Sequence, residues 1–202
     1  MKRTRDGEQT KKLVIQAAKT IFAQYGFAGS SLAMITEISG ISDGLILHHF
    51  KSKDNLYHHV LETLAGEYLY VIQQAAENAP DQEQAAIAAL RAAFAYWRND
   101  RQYHRISMWA YLENRQELIG QEKRLTAGLA ETVRKMQAGG MADSRFSPYA
   151  LLTMTIGPLH FWMRYHDLFR QATQFQGSMQ EMDKVFEEEY IQMVMKVYQP
   201  AA

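Results

Sequence analysis

Between Ser30 and Leu56 the chain reads SSLAMITEISGISDGLILHHFKSKDNL, and these 27 residues constrain the fold more than any other part of the sequence. Ser30 stands where an N-cap accepts backbone N–H bonds, and Leu32, Ile35 and Ile38 recur at three-residue spacing, which predicts a short helix to about Ser39 with one apolar stripe inward. Gly40 then supplies a residue that tolerates a left-handed conformation at the C′ position, with Ile41 as the hydrophobic contact of that cap. Ser42 opens a second helix whose Ile46 and Phe50 share one face, while Asp43, Leu45, Leu47, His48 and His49 are distributed around the rest. Ser52 caps a third helix beginning near Lys53. Two short helices about a Gly-centred turn are the build of a helix-turn-helix, which lays its second helix in the major groove of DNA; the spacing alone also fits a helical hairpin within an all-α core.

The flanks separate these readings. Leu13, Val14, Ala17, Ala18, Ile21, Phe22 and Tyr25 follow an i, i+1, i+4, i+5 pattern, predicting a first helix with a broad buried stripe that stops at Gly26. With that helix included, the segment IQAAKTIFAQYGFAGSSLAMITEISGISDGLILHHFKSKDNL closely resembles the N-terminal domain of the TetR/AcrR family of bacterial transcriptional regulators. The resemblance is carried by Ala17-Ala18, Phe22, Gly26, Ser30-Ser31, Ile35, Gly40-Ile41-Ser42, Gly44, His49-Phe50 and Ser52-Lys53, roughly the first quarter of the chain. It implies a homodimer on a palindromic double-stranded DNA operator. In it the helix from Ser42 to Phe50 reads base edges, while Ser30, Ser31 and Lys53 hold phosphates, roles that suit helix-start N–H groups, hydroxyls and a cationic anchor. Three positions depart from the family pattern: Leu47 replaces the usual Tyr, Leu45 the usual Thr, and Ala33 a basic or polar residue. Leucines touch thymine methyls but do not hydrogen-bond a base, so polar readout falls to Asp43, His48 and His49. Asp43 either accepts from a cytosine amino group or stabilises the positive N-terminus of its own helix.

Residues 1–60 carry eight Lys/Arg against five Asp/Glu, so about +3 resides there in a chain of net charge zero. Lys2, Arg3 and Arg5, with Lys11 and Lys12, form either a backbone or minor-groove arm or a solvated N-terminus. His48, His49, His58 and His59 invite a metal reading, but adjacent histidines point to different sides of a helix and no cysteine joins them, so neither a metal site nor a cofactor is expected.

Beyond the first 55 residues the chain of 202 has the length and the apolar content, 47% overall, for a second all-α domain. The expected fold is all-α: an N-terminal three-helix helix-turn-helix domain over residues 1–55 and a C-terminal helical bundle for ligand binding and dimerisation over residues 56–202. Caps delimit the bundle's helices: Asn78-Ala79-Pro80 ends the helix begun at Lys53, Asp81 with Gln84 starts one to about Arg98, and shorter helices span about 102–113 and 116–138. Ser147-Pro148 and Ser178 with Glu181 open the last two. The absence of cysteine, of an 18-residue apolar run and of a charged-then-apolar leader leads to the expectation of a cytoplasmic protein with no membrane partner. No phosphate loop or paired-carboxylate motif appears, and Glu113/Glu117 and Glu187-Glu188-Glu189 read as solvated helix faces, so no enzymatic activity is expected.

The segment from Tyr149 to Met163 is apolar nearly all round, which calls for burial on two sides, and Met179, Met182, Phe186, Tyr190, Met193 and Val197 form a stripe on the final helix. Both are expected at a homodimer interface. Aromatic and thioether side chains concentrate in the middle helices, and Trp97, Tyr103, Trp109, Phe161, Trp162 and Tyr165 are the candidate lining of a pocket for a small-molecule effector, although such residues also fill cores. Arg105, Glu113 and Arg164 are candidates to orient a polar ligand group. A DNA-binding or architectural protein without a ligand is the alternative reading.

Overall fold

The computed structural model describes residues 2–199, with side chains described for residues 7–115 and 126–199. Among these residues only helices occur: α1 (Lys2–Tyr25), α2 (Leu32–Ser39), α3 (Asp43–Phe50), α4 (Lys53–Glu77), α5 (Gln82–Asn99), α6 (Arg101–Leu112), α7 (Gln116–Ala138), α8 (Pro148–Ala172) and α9 (Met179–Tyr198). They form two compact units, one of Met1–Glu67 with Asp100–Gln121 and one of Tyr68–Asn99 with Glu122–Ala202.

In the first unit α1 buries Val14, Ala17, Ala18, Ile21 and Phe22. Leu13 and Tyr25, expected in the same stripe, are exposed: Leu13 lies about 100° round the helix from Val14, and Tyr25 is the last residue before the turn. Phe22 packs edge-on against Tyr57 of α4, ring centroids 4.8 Å apart, above Leu56, Val60, Leu61 and Leu64. The α4 cap is the expected one, with Ser52 Oγ accepting from Asn55 N. Alongside α1 lies α6, fastened by Arg105 Nε to Ala23 O at 2.8 Å and Gln102 Nε2 to Thr20 Oγ1 at 3.3 Å. Arg105 therefore satisfies a carbonyl of the last turn of α1, in place of the ligand-orienting role expected of it.

The second unit is built from the end of α4 with α5, α7, α8 and α9. Ser147 caps α8 with Pro148 at its start, and Ser178 and Glu181 form a full capping box on α9, as their spacing predicts. Its core contains Phe94, Trp97, Leu151, Leu159, Trp162, Met163, Tyr190 and Val194. Trp162 stacks on Phe186 at 4.1 Å and donates Nε1–H to the buried Asp183 carboxylate at 2.8 Å. The α9 stripe expected at a dimer interface is thereby corrected in part: Met182 and Tyr190 are buried and Phe186 is stacked inside the unit, while Met193 of that stripe points outward, with Val185. An amphipathic helix turns its aromatic stripe to the nearest core, and that core belongs to its own chain.

Gly26 ends α1 at φ 70°, and a Cβ there would come within 2.9 Å of the Trp109 ring and closer still to the Glu113 carboxylate. Gly26→Ala adds a left-handed penalty of about 1–2 kcal/mol to that collision, so its thermal midpoint is expected to fall by 5 °C or more, roughly the shift per kcal/mol for a small domain; a melt superimposable on the parent's would refute this.

Candidate nucleic-acid interface

The three expected serine caps behave differently. Ser31, not Ser30, caps α2, its Oγ accepting from Met34 N at 3.3 Å. Ser30 is buried, and its hydroxyl donates to Phe27 O at 2.7 Å, which removes it from the phosphate-facing surface where the resemblance put it. Ser42 takes the extended N-cap conformation of α3 but makes no side-chain cap bond.

Between α2 and α3 Gly40 is left-handed at φ 69° and its N–H bonds back to Thr36 O. Ile35, Ile46 and Phe50 are fully buried and seat the two helices on α1 and α4, whereas Ile38, expected inward, lies in the last turn of α2 and is 53% exposed. Asp43 accepts a short hydrogen bond from Thr36 Oγ1, tying the first turn of α3 to α2. Neither role left open for Asp43 by the sequence includes that bond, since Thr36 gives no signal as a donor seven residues away.

What α3 then presents is narrow. Leu45 and Leu47 are 39% and 38% exposed, Ser42, Gly44 and His48 are exposed, and His49 is half-buried. The His48 and His49 rings lie edge to face at 5.4 Å, and Phe50 meets His59 at the same separation. No group of three His, Cys, Asp or Glu side chains that would hold a metal occurs among the described residues. Lys51 closes α3 at φ 68° and donates to His48 O.

Lys53 is occupied. Its ammonium donates to Phe27 O and Ser30 O, both at 2.7 Å, and lies 4.2 Å from the centre of the Phe27 ring. Desolvation lowers its pKa from the ordinary lysine value, Arg115 adding to the effect and Asp54 and Glu113 opposing it. Two of its three donors are used within the protein, leaving one for a phosphate. Glu113, expected as a solvated or ligand-orienting carboxylate, accepts from both Phe27 N (3.1 Å) and Ala28 N (3.0 Å). Arg115 covers the Phe27 ring at 3.4 Å and pairs with Asp54 at 2.6 Å. Neither Phe27 nor Arg115 stands out in the sequence. The side chains of Lys2, Arg3, Arg5 and Glu117 lie outside the described residues; Lys11 pairs with Glu8 at 3.1 Å.

The pocket candidates divide between the units: Tyr103 and Trp109 stand on α6 in the first, Trp97, Phe161, Trp162 and Tyr165 in the second. Tyr103 is buried, and Trp109 packs against the Gly26 turn. Trp97 is buried 4.5 Å from the His160 ring, whose pKa burial pushes down, favouring the neutral imidazole. Phe161 is corrected: it is 56% exposed, packed on Tyr165 at 4.6 Å along the outward face of α8.

Residues 14–60 match a family model described as bacterial regulatory proteins, tetR family, and residues 88–187 match one described as tetracyclin repressor-like, C-terminal domain. The HTH-type transcriptional regulator RutR of Escherichia coli (strain K12) is 38% identical over 68 residues, covering 34% of this chain and 32% of RutR, so the chain spans about a third of that relative's length. TtgR of Pseudomonas putida, also an HTH-type transcriptional regulator, is 25% identical over 182 residues, 83% of this chain and 87% of TtgR. A TetR family transcription regulator from Marinobacter aquaeolei VT8 has the same fold over 98% of both chains, with a TM-score of 0.76 at 14% identity.

In binding-site selection from random duplexes, Leu45→Thr and Leu47→Tyr are expected to change which sequences are recovered. Lys53→Met is expected to weaken binding to every sequence and, because it frees two carbonyls, to lower the melting temperature as well. Indistinguishable selection profiles for parent, Leu45→Thr and Leu47→Tyr would disprove the division of roles.

Proposed function

The chain belongs to the TetR family of bacterial regulatory proteins, and from that premise we propose that it is a ligand-responsive repressor that binds a palindromic operator as a homodimer and is released by a small-molecule effector. The reading head of residues 1–55 sits within the first unit, the second unit, residues 68–99 with 122–202, serves effector binding and dimerisation, and the protein is cytoplasmic. The supporting observation is the surface of α3, where Ile46 and Phe50 anchor the helix from below and leave Ser42, Gly44, Leu45, Leu47 and His48 outward. A helix seated in this way suits a major groove, with two isobutyl groups able to meet thymine methyls. Ser31 and the free donor of Lys53 flank it as phosphate contacts.

Dimerisation is supported by the outward face of the second unit. Met154, Phe161 and Leu168 of α8 lie seven residues apart and all are exposed, and Val185 and Met193 of α9 add two more apolar side chains. Apolar stripes of this spacing pack against their symmetry mates in four-helix arrangements. Effector binding falls to the second unit, whose interior combines Tyr68, Trp97, His160 and Tyr190, aromatic surfaces carrying polar atoms. Among the described residues no helix is long and apolar enough to cross a membrane.

Two measurements test this reading. The pair Phe161→Glu with Leu168→Glu is expected to give a single-chain mass by light scattering and to weaken binding to a palindromic duplex by about 100-fold or more, the lower range of what bivalency contributes; a dimeric mass would remove this face as the interface. In a small-molecule screen, compounds that raise the melting temperature are expected to release the duplex in a gel shift, and stabilisers that leave every complex intact would favour the ligand-free reading.

A further inference from the structure

We propose that Glu113 and Arg115, at the end of α6, are positioning residues for DNA binding: they set the phosphate-facing ends of α2 and α4 by holding the turn at Phe27, without touching DNA themselves. This rests on the DNA-binding reading above. Glu113 accepts from both Phe27 N and Ala28 N, so one carboxylate satisfies two amide donors of the turn that follows α1. Gly26 makes the approach possible, since any Cβ there would occupy the space of the carboxylate and the Trp109 ring. Two cations lie over the Phe27 ring, the Arg115 guanidinium at 3.4 Å and the Lys53 ammonium at 4.2 Å from its centre. Arg115 also reaches Asp54 in the first turn of α4.

What the turn holds lies next to the proposed phosphate contacts, Ser31 and Lys53. Phe27 O receives Ser30 Oγ and Lys53 Nζ, and Ser30 O receives Lys53 Nζ again, one residue before the Ser31 cap. If the turn loosens, Lys53 loses the carbonyls that aim its third donor, and the start of α2 loses the residue on which its cap is built.

The direction of the effect distinguishes this from simple electrostatics. Replacing Glu113 with Gln removes a negative charge, which by itself tightens binding to a polyanion. The positioning role requires the opposite, because a Gln amide offers one acceptor where two N–H groups converge and sets an NH₂ against the second.

The experiment uses the full chain and a duplex recovered from a random pool by the wild-type protein. Glu113→Gln is expected to keep its helix content, to exchange the Phe27 and Ala28 amide protons faster than wild type, and to bind the selected duplex roughly ten-fold more weakly, within the range of ordinary coupling energies. Its salt slope is expected to be shallower by about one per subunit, the effect of one lost phosphate contact. A variant that only reduced the folded fraction would keep the slope. Arg115→Met, which keeps the side-chain stem over Phe27, is expected to act in the same direction, and the double variant to fall short of the sum of the two; should Glu113→Gln fail to fold, Glu113→Asp, which keeps the charge but shortens the reach to both amides, carries the test and is expected to weaken binding likewise. Affinity equal to or tighter than wild type, or an unchanged salt slope, overturns the proposal while leaving the DNA-binding reading intact. A wild-type chain that enriches no duplex overturns both.

Discussion

The first unit depends on how the chain leaves α1. A helix that ends beside two others must satisfy its last carbonyls and the amides of the turn beyond it; here Gly26 N and Arg105 take the carbonyls of Phe22 and Ala23, and the turn beyond is held around Phe27. Its ring stacks with Phe22, meets Tyr57 edge to face and is covered by two cations, its amide is held by Glu113, and its carbonyl by Lys53 and Ser30. Lys53 and Arg115 would repel one another so close together, and the pair is tolerable because Glu113 and Asp54 stand beside them. Gly26 is required at the centre of this arrangement for two separate reasons, its left-handed backbone and the absence of space for a Cβ.

The surface available to DNA follows from that anchoring. With Ser30 buried, Asp43 bonded to Thr36 and most of Lys53 occupied, several side chains that read as contacts are structural. On the proposed reading, base contact falls to a short, largely apolar stretch of α3, which would distinguish bases by methyl contact and shape more than by paired hydrogen bonds.

In the second unit the same helices supply both core and outer face. Trp162, Phe186 and Tyr190 stack within the unit, and the buried Asp183 is stabilised by the indole N–H of Trp162 with the His166 ring 3.5 Å away. Tyr190 donates to Thr155 O, three residues before Pro158, and so supports α8 where a proline removes one rung of its ladder. The residues left outside are apolar at heptad-like intervals, which is why α8 reads as hydrophobic all round: part of that surface is core and part is exposed.

How far the molecule was legible in its sequence follows the range of the forces involved. Caps and stops act over three or four residues, so Ser31 to Met34, Gly26, Gly40, Ser52, Ser147-Pro148 and the Ser178–Glu181 box were readable within one position, and the all-α fold with them. The identity of the side chains on α3 was equally plain, because they are the sequence. Only the tertiary structure decided which apolar stripe of α9 faces inward, that Phe161 lies outside, that Arg105 satisfies α1, and that Glu113 closes a turn 86 positions earlier. Periodicity states that a face is apolar or that a carboxylate is free to accept, but the choice of partner is made by packing between segments distant in sequence, and nothing local to either segment encodes it.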